Sequence, residues 1–137
     1  GTMSLHAYLN FGGDCREAFT RYHEILGGDL DIMGMVDVPA DEEMPAELHH
    51  LVAHAALSLG DDLLMGSDDP NHEGVRGMAV NLTVDDVDEG RRLFDAFAEG
   101  GAVTMPPGPT FWSPFFGLCT DRFGIPWMIN VEIGEAD

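Results

Sequence analysis

The chain has 137 residues, of which 45% are hydrophobic, and sets 25 Asp and Glu against six basic residues, all Arg, for a formal net charge of −19. That length suits one ordinary domain, or two closely merged halves, with a real core. No stretch approaches the roughly 18–20 uninterrupted apolar residues that cross a bilayer, and such an acidic surface repels phosphate backbones and anionic lipid, so nucleic acid and membrane are poor partners. A soluble, cytoplasmic protein is the expectation, its acidity serving solubility or tolerance of salt.

After Gly1-Thr2-Met3, which is set aside, residues Ser4 to Phe11 alternate: Leu5, Ala7, Leu9 and Phe11 share one face, and His6, Tyr8 and Asn10 the other. This period of two predicts a strand. Gly12-Gly13 turns the chain and Asp14 stands as N-cap of a helix. Its apolar face is Ala18, Phe19, Tyr22, Ile25 and Leu26, stopped by Gly27-Gly28. Leu30 to Val36 predicts a strand, the acidic stretch Asp37 to Glu47 a loop, and Leu51 to Leu59 with Leu63-Leu64-Met65 a hairpin across Gly60-Asp61-Asp62. Here Val52, His54, Ala56 and Ser58 alternate with Ala53, Ala55, Leu57 and Leu59.

Beyond a polar linker, Ser67 to Arg76, the same order begins again. Ala79, Asn81 and Thr83 alternate with Val80, Leu82 and Val84; Asp85-Asp86 caps a helix carrying Val87, Leu93, Phe94 and Phe97; Gly100-Gly101 stops it. Ala102 to Met105 predicts a strand, Pro106 to Pro109 a loop, Phe115 to Thr120 a strand, and Trp127 to Glu132 the last strand after a turn at Asp121 to Gly124. Each half therefore reads β-α-β-β-β, and a duplicated unit of this size completes its sheet and core with its twin. The largely aliphatic strand faces are expected under the helices. The opposite faces collect His6, Tyr8, Asn10, His54, Ser58, Asn81 and Thr83, and if these share a side they furnish a polar lumen. Buried polar groups must be satisfied by one another, by water or by a ligand, so such a lumen is a binding-site hypothesis.

The run Tyr8-Leu9-Asn10-Phe11-Gly12-Gly13-Asp14-Cys15-Arg16-Glu17-Ala18-Phe19, then Tyr22 and Gly27-Gly28, resembles the opening of PhnB-like proteins of the glyoxalase/bleomycin resistance/dioxygenase, or vicinal oxygen chelate, superfamily. His54-Ala55-Ala56-Leu57 with Leu64-Met65-Gly66-Ser67-Asp68 is similar to that family's central hairpin. Asp121-Arg122-Phe123-Gly124-Ile125-Pro126-Trp127-Met128-Ile129-Asn130 is similar to its closing strand. The resemblance implies an α+β fold: one domain over 4–137, with modules at about 4–68 and 77–133 forming an incompletely closed, mostly antiparallel eight-stranded barrel, in a homodimer. It also implies that, where a divalent metal is bound, His or Glu ligands lie on the first, fourth, fifth and eighth strands. Carried over, these places fall on His6 and on His54 of the hairpin in the first half, with Ala79 and Asn130 as their counterparts. Alanine cannot ligate and an amide oxygen is a weak donor, so His6 and His54 form an incomplete set, which an amide oxygen of Asn130 or Asn81 would supplement.

Other residues carry competing readings. Cys15 and Cys119 have no metal-ligand spacing; Cys15, near a helix start, is either a small packed side chain or a thiol of lowered pKa. Ser67-Asp68-Asp69 reads as an acidic turn before Pro70 or as oxygens for a hard cation. His49 and His50 are expected in solvent. Phe111, Trp112, Phe115 and Phe116 read as core or as an aromatic ligand wall, Met33, Met35, Met65 and Met128 as an adaptable apolar wall or as core filler. Arg76 and Arg122 read as ion-paired or as anion contacts. The leading reading is a small-molecule-binding protein using His6, Tyr8, Asn10, His54, Asn81, Trp112, Phe116 and Asn130. Its alternative is a metal-dependent lyase, isomerase or thiol transferase using His6 and His54. A third reading, a purely structural domain, leaves no cavity open.

Overall fold

The two helices form where the apolar residues recur at helical spacing, and each lies against one face of its own sheet. In a computed structural model describing residues 2–38 and 44–134, the order is β1 (Ala7–Phe11), α1 (Cys15–Leu26), β2 (Asp29–Gly34), β3 (Val52–Leu59) and β4 (Asp62–Asp68). Then come β5 (Val80–Val84), α2 (Val87–Ala98), β6 (Ala102–Gly108), β7 (Phe116–Thr120) and β8 (Pro126–Val131). The chain divides into two compact units, Gly1–Gly74 and Val75–Asp137, each one βαβββ module. Their sheets have the orders β1-β4-β3-β2 and β5-β8-β7-β6. β1 runs parallel to β4 and β5 to β8, while the remaining pairs are antiparallel. The α+β class and the repeat are as expected; the strands hydrogen-bond as two four-stranded mixed sheets and not as a closed barrel.

In the first module Cys15, Ala18, Phe19, Tyr22 and Ile25 of α1 are buried, as are Leu9, Phe11, Ala55, Leu57 and Leu64 on the strands. Phe19 meets Phe11 edge-on, with ring centroids 6.1 Å apart, and packs over Gly66, where an added Cβ would stand 2.7 Å from the Phe19 ring and from the Leu9 carbonyl oxygen. The second module repeats the scheme: Leu93, Phe94 and Phe97 pack with Cys119, Trp127, Ile129 and Val131, and the Phe97 ring stacks on Trp127 at 4.1 Å. Asp86 caps α2 as expected, its carboxylate accepting the Glu89 N–H at 2.9 Å.

Each double glycine has a divided role. Gly27 and Gly100, at φ +74° and +77°, turn the chain out of the helix in a conformation that costs other residues ~1–2 kcal/mol. Gly28 and Gly101 have no room for a Cβ, because it would collide with the carbonyl oxygens of Ser58 and Thr120 on the strand alongside.

Several boundaries differ from the sequence expectation. The first strand begins at Ala7, not Ser4, so His6 precedes the ladder. β2 ends at Gly34, and Met35–Asp37 winds into a 3-10 turn instead of continuing to Val36. Of the expected loop over 37–47, residues 39–43 lie outside the described residues, and Ala46–Leu48 forms a second 3-10 turn. The loop expected at Pro106 to Pro109 is largely strand, since β6 runs on to Gly108. Proline is tolerated there because β6 is an edge strand with register irregularities between Met105 and Gly108, so its missing N–H breaks no ladder on the open side.

Candidate functional sites on the open sheet faces

Strand alternation sends the remaining side chains to the face away from each helix. On the first sheet one cross-strand row is Tyr8, Met65, Ala56 and Asp31. Asn10 pairs with Ser67, and His54 with Met33, in the row beside it. Tyr8 and His54 meet across these rows: the phenol oxygen is 3.1 Å from His54 Nδ1, and the rings stack with centroids 5.7 Å apart and planes 29° from parallel. This contact holds the imidazole in place and leaves Nε2 unused within the pair. Tyr8 and Asn10 are exposed and His54 half-buried. His6 is exposed and lies just before β1, outside the ladder that orients Tyr8 and Asn10.

On the second sheet the rows are Thr83, Asn130 and Phe116, and beside it Asn81, Met128, Leu118 and Met105. Asn81 Nδ2 donates to Thr83 Oγ1 at 3.1 Å. Asn130 Oδ1 is buried and has no hydrogen-bond partner among the described residues. Trp112, 53% exposed, sets its ring edge-to-face with Phe116 at 5.2 Å, and Phe111, 97% exposed, stands against Trp112 at 4.8 Å. The aromatic run is therefore divided: Phe115 is core, packed on Phe94 at 6.4 Å, while its three companions line the open face or its rim.

Register corrects one carried-over equivalence. Leu64 pairs with the first residue of β1 and Trp127 with the first of β5, which makes Ser67 the counterpart of Asn130 and Phe116 the counterpart of His54; Ala79 remains the counterpart of His6 in the repeat. His54 lies on the third strand, not the fourth. The four metal-ligand places of the resemblance thus fall on His6, Ser67, Ala79 and Asn130, a donor set that does not fit a divalent catalytic ion. Among the described residues no three His, Cys, Asp or Glu side chains gather where they would share one.

Some residues singled out for chemistry serve the fold instead. Ser67-Asp68 ends β4 and is not a turn. The buried Asp68 carboxylate accepts the N–H groups of Gly13 (2.9 Å), Cys15 (3.0 Å) and Val52 (2.8 Å), tying the start of α1 to β3 and β4. It thus does the capping expected of Asp14, whose side chain makes no cap hydrogen bond. Burial, with Asp68 adding to it, pushes the Cys15 thiol up from 9.0 to about 12, which overturns the reading of a lowered pKa. Burial also pushes Cys119 up, to about 11. Arg122 lies over the Phe123 ring at 4.8 Å, Arg76 is exposed, and His49 Nε2 is 2.8 Å from the Met44 carbonyl oxygen.

Asp121 and Ser113 were not singled out on their own. Asp121 is buried and accepts from Phe123 N, Ile125 N and, at 2.8 Å, Trp127 Nε1. Ser113 Oγ lies 2.7 Å from the Phe115 carbonyl and 2.8 Å from that of Val131, with its one hydrogen to donate, and so pins the aromatic loop to β8. A single polar residue among buried neighbours was the available signal for each.

The model of the Glyoxalase/Bleomycin resistance protein/Dioxygenase superfamily matches residues 4–129. The chain belongs to this superfamily. Protein YjdN of Escherichia coli (strain K12) is 34% identical over 140 residues, covering 94% of this chain and 95% of its own. Protein PA1353 from Pseudomonas aeruginosa shares 46% identity and superposes with a TM-score of 0.88, over 97% of this chain and all (100%) of that one. A PhnB protein from Bacillus cereus shares 26% identity with a TM-score of 0.76, over 95% of this chain and 100% of that one. Within the superfamily the chain is PhnB-like, and the described residues include no helix long and apolar enough to cross a membrane.

Proposed function

We propose that this superfamily member binds a small, partly apolar molecule on its polar sheet faces without chelating it through a metal. The observation that carries the reading is the Tyr8–His54 pair, two rings fixed against each other on the open side of the first sheet, in rows shared with Met33 and Met65. A phenol–imidazole pair of this kind presents a flat apolar surface and one orientated hydrogen-bonding nitrogen, the combination by which pockets fix small ligands. His6 and Asn10 join this pair as proposed ligand contacts of the first unit, Asn81, Trp112, Phe116 and Asn130 are those proposed for the open face of the second, and a homodimer remains the proposed assembly.

The experiment is a small-molecule screen by ligand-observed NMR on the full chain, followed by Tyr8→Phe and His54→Ala. Hits that weaken about tenfold in both variants support the reading. Hits indifferent to both, or no hits, overturn it. Elemental analysis after incubation with zinc, nickel and manganese salts and desalting tests the metal-free form: substoichiometric metal is expected, and one tightly held ion per chain that is lost with His6→Ala and His54→Ala would replace it with metal chemistry.

A further inference from the structure

We infer that the open face of the second sheet recognises a flat aromatic group bearing a neutral amide, and discriminates against the corresponding carboxylate. This deepens the proposed function and rests on the reading that the polar sheet faces bind ligands. Its starting point is Asn130, whose Oδ1 is buried without a hydrogen-bond partner among the described residues. Leaving an acceptor in that condition costs ~1–3 kcal/mol, which a donor arriving on a ligand recovers.

The neighbours define what that ligand offers. Thr83 is the cross-strand partner of Asn130, and because its hydroxyl oxygen already accepts from Asn81 Nδ2, its own hydrogen is the group left to give. An acceptor and a donor therefore stand on paired residues of adjacent strands, whose backbones run about 4.8 Å apart. The complement is a group with an N–H and a C=O side by side, which is an amide; a carboxylate has two acceptors and meets Asn130 Oδ1 with the wrong sign. On the other flank Asn130 pairs with Phe116, whose ring carries Trp112 edge-on. The loop bearing Trp112 is held by Ser113, with Thr110 N donating to the Ser113 carbonyl at 2.8 Å, so this half-exposed indole is presented on an anchored segment. An aromatic ring attached to the amide has a wall to lie on.

Charge points the same way. Thr83 also lines an open depression with Asp85, Glu132 and the Arg92-paired Glu89, an acidic surround for anything approaching this strand end. Of this unit's four arginines, Arg91 lies over the Phe115 ring at 5.1 Å, Arg92 on Glu89 and Arg122 over Phe123, while Arg76 is exposed ahead of β5. A carboxylate would meet this acidic surround on rows that contain no basic residue.

The test is a ¹H–¹⁵N NMR titration of the full chain with benzamide and, separately, benzoate, which match in size and shape. Benzamide is expected to shift the Asn130 side-chain amide and the Trp112 indole N–H saturably, and benzoate to bind at least about tenfold more weakly. Asn130→Leu is expected to weaken benzamide about fivefold, the worth of one hydrogen bond, while Glu24→Gln on the exposed side of α1 leaves these shifts unchanged. Equal binding of the two probes, insensitivity to Asn130→Leu, or no saturable shift at Asn130 and Trp112 overturns the inference. Benzamide shifts confined to Tyr8 and His54 would do so while sparing the proposed function, whereas the proposed function fails on its own screen.

Discussion

The two modules share an order of elements, a register and a helix-on-sheet core, yet they bury their polar groups differently. In the first, Asp68 gathers three backbone N–H groups from the start of α1 and from β3, and the rings on the open face satisfy each other through Tyr8 and His54. In the second, the position of Asp68 is taken by Val131, and the buried carboxylate is Asp121 at the β7–β8 turn, where it accepts two N–H groups and the Trp127 indole. Its open face keeps a buried acceptor, Asn130 Oδ1, unpaired among the described residues. A duplicated backbone fixes which positions are covered and which are open, but it leaves the choice of staple, and the polar group left unsatisfied, to each half.

The comparison breaks most readily at the staples. Asp68→Ala is expected to lower unfolding free energy by about 3–5 kcal/mol, because three buried N–H groups lose a charged acceptor, and Asp121→Ala by about 2–4 kcal/mol. Urea unfolding checks both, and a cost near that of the neighbouring Asp69→Ala would refute the staple role. Next come the close approaches. Gly28→Ala and Gly101→Ala each force backbone movement worth about 2–3 kcal/mol, and Gly28, at φ +81°, pays ~1 kcal/mol more than its counterpart for the left-handed conformation. Equal Tm losses for the two would remove that distinction.

The buried thiols sharpen the comparison by pH. Both folded pKa values are raised, so the folded chain holds these protons more tightly than the unfolded chain. The stability they contribute is full below 9.0 and is lost as pH rises through the folded values, about 12 for Cys15 and about 11 for Cys119. Unfolding followed from pH 8 to 11 should show an alkaline decline that Cys15→Ala and Cys119→Ala each flatten, and an unchanged slope would contradict the burial argument. The smallest effect belongs to the exposed aromatic loop. Trp112→Ala is expected to change stability by less than ~0.5 kcal/mol, since the side chain caps no core, and a large loss would turn the proposed ligand wall into a structural element.

Much of the architecture was legible in the residues. Period-two runs and the two helical faces located every strand and helix, and the same alternation placed Tyr8, Asn10, Asn81 and Thr83 on open faces. What misled was local reading of features whose meaning is non-local. Asp14 has the position of an N-cap, but Asp68 does that work from across the sheet. Cys15 has the position of an activated thiol, but the core removes it from water. Pro106 and Pro107 look like loop residues, but they sit on an edge strand at a break in register between Met105 and Gly108, where the ladder does not use their missing N–H groups.

Hydrophobic periodicity and glycine placement, both short-range properties, were sufficient by themselves to determine the repeated βαβββ order and the division of each strand into a covered and an open side. Only the tertiary structure decided that His54 corresponds to Phe116, that Tyr8 and His54 touch across 46 residues of chain, and that Asn130 Oδ1 is left without a hydrogen-bond partner among the described residues. Those outcomes depend on strand register and on which distant groups reach each other, and no local spacing encodes a pairing between segments so far apart in the chain.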